Sequence, residues 1–280
     1  MESTKRATLA VPGARLYYEL CGSGPLLLVL QGGEGDAGRT AALVRELRDR
    51  YTMLTYDRRG LSRSTVDEPM PPITIETHAD DVHRLLAAVT GEPATLLGSS
   101  FGGLVGLVLA TAHPDQVATL VTHEPPALGV LPGPERARAE RVLLDLEATF
   151  REEGWAAAFK KLAEATGAGY DDREPEVELP PPLSPERIAN MKFLFTHDLP
   201  AVRTCRLDAG ALATLRGGPV RVVPAAGHTT ARDFFDHRCA AEIARLLGTE
   251  LAEFPGGHNG LTMRPKAFTR RLLDVIGVPG

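Results

Sequence analysis

The chain has 280 residues, which at about 150 residues per domain allows either two domains or one large α/β domain. With 43% hydrophobic and 24% charged residues it sits near the globular average, which excludes disorder as a description of the whole. The 31 Lys and Arg against 36 Asp and Glu give a net charge of −5 with no long block of one sign, so neither nucleic acid nor an anionic membrane is expected as a partner.

Short apolar runs alternate with amphipathic segments along the chain. Residues 15–20, 26–30, 53–56, 95–97, 117–121 and 220–223 read as strands. The run 26–30, Leu-Leu-Leu-Val-Leu, is apolar at every position, the pattern of a parallel strand covered on both faces. Between the runs, Leu43, Val44 and Leu47, and later Ala79, Val82, Leu85, Leu86 and Val89, recur at helical spacing, and Pro114 ends a helix that begins at Phe101. The fold class this predicts is α/β, a mainly parallel sheet with helices on both faces. The alternation stops after Val121, and residues 127–199 read as a helical insertion opened by Pro132-Gly133-Pro134 and holding the acidic, Pro-rich stretch 171–185. Its apolar stripes are Val142, Leu143, Leu146 and Phe150, then Trp155, Phe159 and Leu162, then Ile188, Met191, Leu194 and Phe195 behind a Ser184 cap and Pro185. Strand and helix signals resume at Val220.

Cys21, Cys205 and Cys239 form neither a disulfide framework nor a C-x-x-C pair, as in a reducing compartment. No signal-peptide pattern opens the chain, and the apolar stretch 104–110, interrupted by Gly106, is far short of the ~18 residues of a membrane span. A soluble cytoplasmic protein is expected, its oligomeric state left open.

Gly98-Ser99-Ser100-Phe101-Gly102 satisfies G-x-S-x-G directly after one predicted strand and directly before a helix, where the motif has mechanical meaning. A sharp strand-to-helix turn needs neighbours without bulk, lifts the Ser100 hydroxyl above the sheet edge, and leaves the Phe101 N–H at a helix N-terminus. The competing reading is a Gly/Ser-rich loop that merely caps a helix. A serine at its ordinary pKa is a weak nucleophile, so the motif demands a downstream base. His258, in the glycine-flanked loop Gly256-Gly257-His258-Asn259-Gly260 behind a last strand at 250–254, is placed to supply it. His78 and His83 on a sheet-covering helix, and His113 at the end of another, read as partly exposed surface imidazoles.

At these residues the chain resembles the α/β-hydrolase superfamily, in particular its small bacterial serine hydrolases of the esterase and lactonase kind. The resemblance runs from about residue 15 to the C-terminus, through Leu30-Gln31-Gly32-Gly33, Tyr56-Asp57-Arg58-Arg59-Gly60 with Ser62 and Ser64, the Ser100 elbow, His113-Pro114-Asp115 and Gly257-His258. It implies an α/β-hydrolase core over 1–126 and 200–280, with a helical cap over 127–199 inserted between strands six and seven. It also implies Ser100 as nucleophile, His258 as base, and an oxyanion hole from the N–H groups of Phe101 and Gly33, with Gln31 standing where a histidine commonly opens the turn. The acid departs from the pattern. The stretch after strand seven, 224–230, has no carboxylate, and Asp233 arrives late, whereas some relatives place the acid after strand six, where this chain has Glu124. Pro125 bars Glu124 from a helix and biases it toward an extended conformation, so Glu124 is preferred to Asp233.

The reaction implied is hydrolysis of a carboxylic ester, lactone or thioester on a small-molecule substrate, with no cofactor or metal expected. Trp155, Met191 and Phe195 of the cap are the candidate substrate contacts, and they suggest an apolar moiety. Two readings from other classes compete. A non-catalytic binding protein would keep the fold and lose the chemistry. Gly33-Glu34-Gly35-Asp36-Ala37-Gly38 with Asp57 also matches a dinucleotide fingerprint for a nicotinamide-dependent oxidoreductase, but Glu34 and Asp36 would set two carboxylates beside a pyrophosphate. His228, His237 and Cys239 match no metal-ligand spacing, and Ser100 at the elbow excludes an Asp nucleophile.

Overall fold

The computed structural model describes residues 4–33, 35–167, 172–178 and 183–277. Glu34 of the glycine-rich loop, and Asp171 and residues 179–182 of the Pro-rich stretch, lie outside the described residues.

The chain runs through β1 (Lys5–Val11), β2 (Ala14–Cys21), β3 (Leu26–Leu30), α1 (Ala41–Leu47), β4 (Thr52–Tyr56), β5 (Thr65–Val66), α2 (Ile75–Val89), β6 (Ala94–Ser99), α3 (Phe101–Ala112) and β7 (Val117–His123). It continues through α4 (Gly133–Glu153), α5 (Trp155–Thr166), α6 (Pro185–Phe193), α7 (Leu199–Thr204), α8 (Ala209–Ala213), β8 (Arg221–Gly227), α9 (Phe235–Leu247), β9 (Ala252–Phe254), α10 (Gly260–Met263) and α11 (Pro265–Ile276). The sheet order is β1-β2-β4-β3-β6-β7-β8-β9, with the two-residue β5 on β2. Pairing is parallel from β4 across to β9 and antiparallel where β2 meets β1, β4 and β5.

Strict alternation explains why β3 is apolar throughout. Leu28 and Leu30 pack with Val82, Leu104 and Ile243 of α2, α3 and α9, while Leu27 and Val29 pack with Leu43, Leu261, Phe268 and Leu272 of α1, α10 and α11. Each predicted strand overlaps an observed one: 26–30 coincides with β3; β2, β4, β6 and β7 are longer than predicted; β8 begins one residue after Val220 and runs on to Gly227; and the last strand shortens to β9. β1 carries only the short apolar run Leu9-Ala10-Val11 at its end. It is a largely exposed edge strand, folded onto β2 through a turn at Gly13, whose φ is 73°.

Apart from β5, β7 and β8 are the sixth and seventh strands in chain order, and the helical insertion lies between them. Ser184 caps α6 by accepting the Arg187 N–H at 3.2 Å, with Pro185 at the first helical position. From α6 the backbone continues through a π-helical turn, Leu194–Asp198, straight into α7, so the expected boundary at residue 199 falls inside a continuous helical run.

Candidate active site

Ser100 sits between β6 and α3 with φ 50° and ψ −120°, a backbone region that costs a non-glycine residue about 1–3 kcal/mol. The turn is pinned by the Ser100 N–H donating to the His123 carbonyl and by the Ser100 carbonyl accepting from the Gly103 N–H, both at 2.8 Å. The flanking glycines are a packing requirement. A Cβ on Gly98 would lie 2.7 Å from the Gly102 carbonyl oxygen, and one on Gly102 only 2.1 Å from that of Leu30.

His258 leaves β9 in the loop before α10. Its Nδ1 lies 2.7 Å from Oε2 of Glu124, whose Oε1 accepts the Gly227 N–H at 2.8 Å. Glu124 is buried at the end of β7 with φ 48°, and its own N–H donates to the Ala225 carbonyl at 2.9 Å. The extended conformation expected from Pro125 is therefore corrected: the proline excludes the right-handed helix, but the bond to β8 draws the residue to positive φ. Burial alone would raise the Glu124 carboxyl, but the His258 hydrogen bond and the charges of His123 and His258 outweigh it and hold the group at about 2. Burial lowers His258, and its bond to Glu124 with the charges of Glu124 and Asp236 more than reverses this, leaving the ring above its ordinary value. Asp233 is exposed and makes no contact with the ring among the bonds of the described residues. His123, beside Glu124, is fully buried edge-on to Phe254 and Phe268, and burial pushes it down to about 4.

The loop after β3 brings Gly33, with φ 37°, to the same cavity as Ser100 and Phe101. The Gln31 amide donates to the Thr40 hydroxyl at 2.6 Å. Arg58, 1% exposed, grips this loop: its guanidinium donates to the Gln31 carbonyl at 3.2 Å and to the Gly33 carbonyl, lies 4.4 Å from the Phe101 ring centre, and pairs with Asp198 at 2.7 Å. Asp198 belongs to the π-helical turn of the insertion and also meets His78 Nε2 at 3.3 Å. His78 is thus buried and partnered, which corrects its reading as a surface imidazole: its position on α2 faces Phe101 and the insertion, not solvent. Asp57, the acid a ribose would need, is spent on the Ala37 N–H at 2.9 Å and on Arg63 at 2.7 Å, so the dinucleotide reading loses its acid.

Ser100, His258, Gly33 and Phe101 line one cavity of about 170 Å³. Among the described residues no hydrogen bond joins the Ser100 hydroxyl to the His258 ring, although both line the cavity. The remaining wall is mainly apolar, including Leu143, Phe159, Leu162, Leu194, Leu199 and Val202 of the insertion.

A family model described as the alpha/beta hydrolase fold matches residues 25–164, half of the chain. The chain belongs to the α/β-hydrolase fold family. It is 38% identical over 270 residues to the uncharacterized hydrolase YraK of Bacillus subtilis (strain 168), covering 96% of this chain and 95% of that protein. Among solved structures, it superposes on the enol-lactonase of Burkholderia xenovorans LB400 with a TM-score of 0.71 at 23% identity, covering 96% of this chain and 99% of that one. It superposes on the esterase EaEST of Exiguobacterium antarcticum with a TM-score of 0.75 at 19% identity, covering 99% of each chain. These likenesses carry the fold.

Within this α/β hydrolase, the expected substrate contacts are corrected, Trp155 by its place along α5 and Met191 and Phe195 by the rotation of their helical run. None of Trp155, Met191 and Phe195 lines the cavity. Met191 is buried in the protein, Phe195 stacks on Phe150 at 5.4 Å, and Trp155 lies at the start of α5, one turn before Phe159, which does reach the wall. Sequence reasoning also missed Asp236. This buried acid lines the cavity with Oδ2 3.8 Å from His258 Nε2, and its Oδ1 has no hydrogen-bond partner. The signal was present: Asp236 stands at the head of the apolar stripe Cys239, Ala240, Ile243 and Leu247, in the register that faces inward.

Proposed function

We propose that this α/β hydrolase cleaves a carboxylic ester, lactone or thioester through an acyl-enzyme on Ser100. One observation carries the reading: a strained serine at the head of α3 shares a cavity with a histidine whose Nδ1 is held by a buried carboxylate. In this mechanism His258 Nε2 takes the Ser100 proton as the oxygen attacks the carbonyl carbon, and the developing oxyanion is received by the N–H groups of Gly33 and Phe101. His258 then protonates the leaving group, and water resolves the acyl-enzyme by the same steps in reverse. Glu124 fixes the Nδ1–H tautomer and stabilises the imidazolium. The open Ser100–His258 geometry is common in apo catalytic pairs, which tighten around substrate.

The helices between β7 and β8 act as the cap that closes the apolar side of the site. A cavity of about 170 Å³ suits a moiety near the size of benzene, which a cavity of ~150 Å³ accommodates. The names of the enol-lactonase and esterase neighbours are in keeping with an oxygen-ester substrate. The test is to incubate wild type and Ser100→Ala with p-nitrophenyl butyrate and a fluorophosphonate. Turnover and labelling are expected for wild type and neither for the variant; equal labelling of both removes Ser100 from the mechanism.

A further inference from the structure

His258 has a carboxyl group on each side. Glu124 holds Nδ1, and Asp236 stands 3.8 Å from Nε2, the nitrogen that must exchange protons with Ser100 and with the leaving group. That separation is too long for a hydrogen bond, and the space between the two atoms opens on the cavity that both residues line. The two acids differ in what surrounds them. Both Glu124 oxygens receive donors, from Gly227 and His258, so its charge is compensated. Asp236 is 3% exposed, its Oδ1 has no hydrogen-bond partner among the described residues, and its Oδ2 faces His258 Nε2 at 3.8 Å. A second carboxylate beside Nε2 would also hold the ring as imidazolium, which cannot accept the Ser100 proton. A buried polar atom without a partner calls for an explanation, and here the explanation faces the reacting atoms.

We propose that Asp236 is a further catalytic residue, a neutral carboxyl whose O–H donates a hydrogen bond to the leaving-group oxygen of the substrate while His258 gives that oxygen its proton. The proposal rests on the serine-hydrolase reading above. The step balances within that mechanism. The carbonyl-carbon to leaving-oxygen bond breaks, its electron pair goes to the oxygen, the proton comes from His258 Nε2, and Asp236 keeps its own proton throughout.

The surroundings favour the neutral form. Burial pushes the Asp236 carboxyl up to about 8, with His258 opposing and Glu124 adding to the rise. On its own helix, Cys239 is buried, His237 Nε2 accepts from Arg232 at 2.7 Å, and Arg238 is engaged by Glu135. Arg232 is shared with Glu253, and His123 beyond Glu124 is pushed down by burial. α8 and residues 128–130, which pack on α9, carry no titratable side chain, and Arg221 at the start of β8 donates to the Val275 carbonyl.

The experiment compares kcat/KM on ethyl butyrate and p-nitrophenyl butyrate, two esters of one acid, for wild type, Asp236→Ala and Asp236→Asn. A nitrophenolate leaves without help and an ethoxide does not. Asp236→Ala is expected to lose about 10²-fold on the ethyl ester and under about threefold on the nitrophenyl ester, a gap typical of a lost proton-side contact. Asp236→Asn, whose amide still donates, is expected to recover most of that loss. For wild type, activity on the ethyl ester falls as pH rises through about 8, and that limb is absent in Asp236→Asn. Equal losses on both esters, or a wild type no faster than Asp236→Ala on ethyl butyrate, overturns the proposal while fluorophosphonate labelling of Ser100 leaves the underlying mechanism standing. Wild type that is not labelled at Ser100 overturns both.

Discussion

Ser62, Ser100 and Glu124 are the non-glycine residues with positive φ among the described residues, and two of them end neighbouring strands at the candidate site. Strain at both strand ends is sustained by backbone bonds to the next strand, from Ser100 to His123 and from Glu124 to Ala225. Ser100 and the acid are thereby set on adjacent rigid elements, with His258 brought to them on a loop. On the proposed mechanism, Glu124→Gln keeps the fold but loses the compensating charge, and kcat is expected to fall by up to ~10⁴-fold, by analogy with the Asp-to-Asn change in a serine protease triad. Asp233→Asn, on an exposed residue, is expected to stay within about threefold of wild type, as surface carboxylates contribute little. The pH profile supplies a second readout. Glu124 raises His258, so removing its charge lowers the ring's pKa, and the acid limb of kcat/KM is expected to move to lower pH. An unmoved limb, or a near wild-type kcat for Glu124→Gln, would detach the acid from the chemistry.

At the scale of elements, the loop after β4 works as a bracket between the loop after β3 and the helical insertion between β7 and β8. Arg58 ties the Gln31 and Gly33 carbonyls to Asp198, and Ser62 donates to Asp36 at 2.7 Å while receiving the Asn190 amide at 2.8 Å. Gly60, with φ 76°, permits the close approach of Phe193, since a Cβ there would lie 2.2 Å from its ring. Asp198→Asn leaves a buried guanidinium without its counter-charge and is expected to cost about 3–5 kcal/mol by chemical denaturation. The double change Arg58→Met with Asp198→Leu is expected to restore most of that stability, yet to leave kcat at least about tenfold down because Gly33 is no longer held. Recovery of kcat along with stability would show the bracket to be structural alone. Little of this bracket is legible in the sequence, because Arg58 and Asp198 are 140 residues apart and nothing in local periodicity pairs them. The buried strands were legible because parallel strands covered on both faces must be apolar throughout, and the elbow because Gly98 and Gly102 have no room for a Cβ. β1 was not, since an edge strand can be polar, and the apolar stripes of the insertion gave the helices but not which members of each stripe reach the cavity: Phe159, on the face of Trp155 but one turn further along α5, and Leu194 line it where Trp155 and Phe195 were expected.

For the molecule as a whole, the two acids on either side of His258 pull stability in opposite directions along the pH axis. Glu124, held at about 2 in the fold against 4.5 ordinarily, contributes stability that is complete above 4.5 and lost as pH falls toward 2, and Asp198, also lowered, acts in the same sense. Asp236 does the reverse. Its folded pKa of about 8 against 3.8 means that the folded chain keeps a proton that the unfolded chain has released, so stability declines as pH rises from about 4 to about 8. A carboxyl with an unpartnered oxygen in an apolar wall therefore weakens the fold most at neutral to mildly alkaline pH, which is the trade expected of a residue kept for function. Asp236→Asn removes the ionisable group at nearly constant shape. The variant is expected to melt above wild type at pH 8, by at least about 1 kcal/mol or about 2–4 °C, with a smaller difference at pH 4, close to the ordinary value of 3.8, where the unfolded chain has only begun to release the proton that folded Asp236 keeps. Thermal unfolding of both proteins from pH 4 to 9 measures this, and parallel curves with a constant offset would mean that Asp236 does not change its protonation on folding.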